Sequence, residues 1–83
     1  VAHLYVVRTD RRDHVRAALA AAGVETDVHY PCPDHHQPCH AGRYNEVMLP
    51  VTEQDAGRVV TLPCFPEMSD EEVSRVIRAC NQL

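Results

Sequence analysis

Four of the six histidines and two of the four cysteines in this 83-residue chain fall within residues 29–40, HYPCPDHHQPCH. Imidazole and thiolate are the donors that zinc and its neighbours in the first transition row prefer. The same groups could close a disulfide, or could pair as a nucleophile and its base. For a zinc ion the candidate ligands are Cys32, His35, Cys39 and His40, with His36 as a further donor. The spacing argues against a designed site. Structural zinc is usually held by two short ligand pairs about a dozen residues apart. Here Cys32/His35 and Cys39/His40 are separated by only three residues. Neighbours such as Cys39 and His40 rarely face one ion, and Pro33 and Pro38 stiffen the chain. Metal binding therefore stands as the alternative to a plain, solvated, proline-rich functional loop.

A Cys32–Cys39 disulfide fits the loop length, but nothing marks the chain for an oxidising compartment. It opens VAHLYVVR, with no basic region ahead of an apolar run. Reduced thiols in the cytoplasm are the expectation. Cys64 and Cys80 fall on apolar patterns, where free cysteine acts as a small hydrophobe. A Cys–His nucleophile lacks a local signature. The first residue is Val1 rather than Met, as expected of a fragment or a processed chain.

Composition narrows the classes. The apolar fraction is 45% and the charged fraction 24%, both ordinary for a globular domain. Eighty-three residues make one domain, residues 1–83, with an expected stability of a few kcal/mol. No apolar run approaches the eighteen residues or so that a membrane helix needs. Net charge is −4, and twelve acids outnumber eight basic residues spread along the chain. That is not the footprint of a nucleic-acid binder. All eight basic residues are arginine; there is no lysine.

The loop needs a scaffold, and the pattern supplies one. HLYVVR, residues 3–8, reads as a strand. A helix follows, started by Thr9 or Asp10, with Val15, Ala18, Leu19 and Ala22 on one face and Gly23 as a left-handed stop. VETDVHY alternates with a period of two, predicting a second strand over 24–30. Residues 31–50 are the irregular loop, with room for one helical turn near 35–41. Thr52 and Asp55 resemble a capping box for a short helix over 52–58, and VVTLP, 59–63, reads as a third strand. Ser69 and Glu72 form an S-x-x-E capping box ahead of a last helix, whose apolar stripe is Val73, Val76, Ile77 and Cys80. The predicted fold is α+β: a sheet of about three strands with two main helices on one face. Its other face, carrying some of His3, Tyr5, Val7, Glu25, Asp27 and His29, suits docking to another domain as well as it suits solvent.

The order and spacing of HLYVVR, HYPxPxH and LPxFPEMxxEEVxxVI resemble the C-terminal small domain of the DegT-type nucleotide-sugar aminotransferases. The resemblance runs nearly end to end. It implies the small domain of a fold-type I pyridoxal-phosphate enzyme, in a family that serves antibiotic and surface-sugar biosynthesis. His29, Tyr30, Pro31, Pro33 and His35 match the HYPxPxH stretch, which implies substrate-binding roles for His29, Tyr30 and His35. Asp34, His36, Cys39 and His40 depart from the family pattern and keep the metal alternative open. The resemblance further implies a large cofactor-binding domain as partner, a homodimer and a nucleotide-sugar substrate. The family's chemistry needs a lysine that forms a Schiff base with the cofactor. This chain has none, so it cannot hold pyridoxal phosphate covalently or transaminate alone. The rival readings are a zinc module built on the loop, and a stand-alone interaction domain that docks a full-length aminotransferase.

Overall fold

The computed structural model describes residues 2–83. Strand β1, Tyr5–Arg8, pairs antiparallel with β2, Val59–Leu62, in the register Tyr5↔Leu62, Val6↔Thr61, Val7↔Val60 and Arg8↔Val59. The ladder starts at Tyr5, not His3, because the partner beyond Leu62 is Pro63, which has no N–H to give. On the far edge of β2 the expected third strand shrinks to one bridge, Asp27↔Thr61. The two residues exchange backbone bonds of 3.1 and 2.8 Å. Just after the bridge, Asp27 Oδ1 takes the Val28 N–H at 2.7 Å. A side chain that captures its neighbour's donor draws the backbone out of a ladder. The sheet proper has two strands, and the α+β class expected from the sequence is observed.

Three helices complete the chain: α1 over Arg12–Ala21, α2 over Pro50–Ala56 and α3 over Asp70–Asn81. At the start of α1 no side chain caps the helix; Thr9 Oγ1 instead accepts the Arg11 N–H at 3.1 Å. The helix stops as expected at Gly23, which takes φ +79° and lets the Val24 N–H reach back to the Leu19 carbonyl at 2.9 Å. Val24 and Leu19 are both buried, completing the apolar contact that accompanies this stop. For α3 the capping box is present in both directions: Glu72 N–H to Ser69 Oγ at 3.1 Å, and Ser69 N–H to Glu72 Oε2 at 2.8 Å. The short helix α2 begins two residues earlier than predicted. Pro50 suits a first helical position, and Glu53 Oε2 accepts the Leu49 N–H at 2.8 Å, so the Thr52/Asp55 box is not the start signal.

Alternation along β1 and β2 gives the sheet two different faces. Val7, Val60 and Leu62 face the helices, where Val15, Leu19, Val24 and Ala79 form the buried core with Leu62, Val76 and Cys80 packed against it. Full burial of Leu19 and of Val60 contributes about 1.5–3 kcal/mol each. Tyr5 and Val7 belong to this helix side, contrary to the expectation that placed them opposite. The other face carries Thr61, Asp27 and His29, and the loop and α2 lie against it. Arginines tie these layers together. Arg12 donates to the Ala56 carbonyl at 2.6 Å, and Arg16 grips Thr26 through two bonds of 3.0 and 3.2 Å. Arg8–Asp55 and Arg58–Asp10 pair at 3.3 and 2.8 Å.

The body is a slab of 47 × 27 × 17 Å with a radius of gyration of 15.3 Å, against roughly 12 Å for a compact chain of this length. It exposes 6330 Å², where a free-standing protein of this mass exposes about 5,000 Å². The excess includes part of the stripe predicted to be apolar and inward. Val76 and Cys80 are partly buried, but Ile77 is 54% exposed, beside Tyr5 and Phe65, in an apolar groove of about 470 Å³. No helix among the described residues is long and apolar enough to cross a membrane.

Candidate functional site

The start of the loop and α2 wall a cleft of about 350 Å³. That is at the small end of the range for ligand sites. His29, Tyr30, Cys32 and Asp34 line one side, Thr52 and Asp55 the other, with Val59 at the base. The larger groove beside α3 contains no charged side chain. The cleft, by contrast, brings an imidazole, a phenol and two carboxylates together, which suits recognition of a polar ligand.

His29 is fixed from beneath. Its Nδ1 lies 2.7 Å from Oγ1 of Thr61, a residue that is buried in β2. The Asp27 carboxylate stands 3.8 Å from Nε2, too far for a hydrogen bond. The Tyr30 ring meets His29 edge-on, with centroids 5.0 Å apart. Tyr30 is 64% exposed, and its phenol is free to reach a ligand. The Cys32 thiol turns to the Pro33 carbonyl at 3.6 Å and has no histidine partner among the described residues. Among the described residues no side-chain hydrogen bond joins a cysteine thiol to a histidine.

His35 behaves differently from the other two expected contacts. It does not line the cleft and is only 8% exposed. Its Nε2 is buried with no hydrogen-bond partner among the described residues. Leaving such an atom unpaired costs about 1–3 kcal/mol. The side chain points at Glu53 of α2, whose Oε1 is 3.8 Å away.

The four residues of the alternative metal set do not share a centre. His35 turns to Glu53 and Cys32 to Pro33; His40 pairs with Asp34 at 3.4 Å and stacks edge-on with Tyr44; Cys39 is exposed. A different cluster forms. His35, His36 and Glu53 bring their donor atoms within 4.8 Å of one another. Sequence reasoning counted His36 among the donors but missed Glu53. No spacing rule links it to the loop, because the contact depends on how α2 folds back across the sheet.

The sequence of residues 1–81 matches the DegT/DnrJ/EryC1/StrS aminotransferase family. The chain belongs to that family. It is 40% identical over 80 residues to a dTDP-3-amino-3,6-dideoxy-alpha-D-galactopyranose transaminase of Aneurinibacillus thermoaerophilus, covering 96% of this chain and 22% of the relative. It is 42% identical over 81 residues to a dTDP-3-amino-3,4,6-trideoxy-alpha-D-glucose transaminase of Streptomyces venezuelae, with 96% and 21% covered. Its fold is that of the matching part of the sugar aminotransferase CalS13 from Micromonospora echinospora. The TM-score is 0.78 at 23% identity, covering 95% of this chain and 21% of that one. The chain thus spans about a fifth of the length of the relatives it matches.

Proposed function

We propose that this chain is the C-terminal small domain of a pyridoxal-phosphate-dependent nucleotide-sugar aminotransferase, inactive alone, that closes over the active site of a large domain. Its cleft presents His29 and Tyr30 to the sugar nucleotide. His35, lying behind them, acts as a positioning residue for the loop. The observation that carries the reading is the family match over residues 1–81, a stretch equal to about a fifth of each relative. The names of those relatives support a dTDP-linked or similar keto sugar as the substrate class. Excess surface supports the docking: roughly 1,300 Å² beyond that of a free-standing protein is of the order that one side of a permanent interface buries. A homodimer in the cytoplasm completes the proposal.

The cofactor does not fit this chain's own residues. Pyridoxal phosphate is anionic and needs a lysine amine for covalent attachment. The sequence contains no lysine, and the cleft is lined by Asp34 and Asp55 with no arginine. The group belongs to the large domain in this proposal, and no chemical step is assigned to it here. What the small domain does is exclude water, and offer an imidazole and a phenol to the hydroxyl groups of the substrate. Pyridoxal phosphate and an amino donor supplied to the purified chain should give no turnover. Together with the large domain, the chain should support transamination of a nucleotide-linked keto sugar. In that assembly, His29→Ala and Tyr30→Phe should each raise KM by about tenfold, the loss of one good hydrogen bond. Turnover by the chain alone, or unchanged kinetics in both variants, would defeat the proposal.

A further inference from the structure

The buried, partnerless Nε2 of His35 faces a carboxylate oxygen that also faces a second imidazole. Glu53 Oε1 lies 3.8 Å from His35 Nε2 and 3.6 Å from His36 Nε2. Both gaps are longer than the roughly 2.7–2.9 Å of a charge-assisted hydrogen bond. We propose that His35, His36 and Glu53 form a binding site for one divalent transition cation, with zinc the best-matched ion. The site is independent of the aminotransferase reading.

The two gaps to Glu53 are close to what an ion between the donors requires, and all three donor atoms lie within 4.8 Å of one another. Zinc binds imidazole nitrogen and carboxylate oxygen at about 2.0–2.2 Å, so ligand atoms at tetrahedral corners stand about 3.4 Å apart. Closing each Glu53 gap to that value takes a few tenths of an ångström. Adjacent histidines usually diverge, but the 3-10 turn Asp34–His36 holds these two rings with centroids 4.0 Å apart and a 43° tilt. The turn is itself fixed. The His36 N–H reaches the Pro33 carbonyl at 2.9 Å, and the Gln37 side chain reaches the Cys32 carbonyl at 3.1 Å. Glu53 is oriented in the same way, since Oε2 holds the Leu49 N–H at 2.8 Å and leaves Oε1 free. Such outer bonds commonly fix metal-ligating carboxylates.

Two imidazoles and a carboxylate suit zinc, cobalt, nickel, copper or iron(II) rather than magnesium or calcium. The His36 and Glu53 side chains are 39% and 35% exposed, which gives the ion a way in and leaves a position for water. Three protein ligands with an open fourth position is the pattern of a labile or reactive site, not of a closed structural one. An ion here would clamp the loop to α2, directly behind the cleft.

The test is titration of the purified, chelator-stripped protein with zinc chloride by calorimetry and with cobalt(II) by visible absorption. One zinc per chain is expected, with Kd of about 1 μM or tighter. The cobalt adduct should show d–d bands and no thiolate charge-transfer band. His36→Gln and Glu53→Gln, both at partly exposed positions, should each weaken zinc by about tenfold or more. Cys32→Ser/Cys39→Ser should change the affinity by less than about threefold. Absence of stoichiometric binding overturns the proposal. So does affinity that survives both His36→Gln and Glu53→Gln, or affinity that is lost in the double cysteine variant.

Discussion

His29 and His35 lie six residues apart in the loop, and the fold treats them in opposite ways. His29 rests on a buried hydroxyl of β2, at 2.7 Å, and presents its remaining nitrogen to an accessible cleft. His35 is turned inward, and its Nε2 has no hydrogen-bond partner among the described residues. The first histidine is finished by the chain's own sheet. In the proposed metal site the second is completed by an ion that fills the gap to Glu53. The difference teaches that one short loop can place like residues in unlike surroundings, because its two ends lie against different elements: β2 at one and α2 at the other.

The largest expected effect separates the two histidines by ligand. At zinc 100-fold above its Kd, the wild-type protein should gain about 2.7 kcal/mol of stability. His35→Leu should gain nothing. Urea midpoints with and without zinc read this directly, and equal gains in both proteins would erase the distinction.

Next comes the Thr61 contact. His29→Leu leaves the Thr61 hydroxyl buried without a partner, which should destabilise by about 1–3 kcal/mol. Adding Thr61→Val should recover much of that loss, because replacing both partners by apolar groups is nearly neutral. Additive losses in the double-mutant cycle would show that the bond is not what holds His29.

In chelator, His35→Leu should be neutral or stabilising by about 1 kcal/mol, since it removes an unpaired buried nitrogen. A clear destabilisation in the metal-free protein would mean that His35 has a partner after all. The smallest effect belongs to the surface. Arg8→Met breaks the exposed Arg8–Asp55 pair and should change stability by less than about 0.5 kcal/mol. A change several times larger would mean that this pair, and not the loop contacts, fixes α2.

How much of this could be read in the sequence follows the range of each interaction. Both main helices were legible, because the Ser69/Glu72 box, Gly23 and the apolar period are local signals. The paired strands were legible for the same reason, except that the block at Pro63 acts on the partner strand and shortens it at His3 and Leu4. The third strand was not legible. Alternation through Val24, Thr26 and Val28 is real, but Asp27 takes its neighbour's N–H and the ladder ends after one bridge. His29 and Tyr30, singled out through the family pattern, line the cleft, while His35 from the same pattern does not. Glu53 was not, because its meeting with His35 and His36 is a tertiary contact that no local period encodes.

The bond from Arg12 to the Ala56 carbonyl has a bearing on timing. At seven residues, α2 is far too short to persist as an isolated helix in water. Its last turn is held by an arginine from the first turn of α1. The wall of the cleft, with Glu53 on it, is therefore expected to form only once β1 and α1 are in place. It should also be among the first parts to let go. Amide exchange should run faster along α2 than along β2, and Arg12→Ala should widen that gap while leaving the rates in α3 as they were.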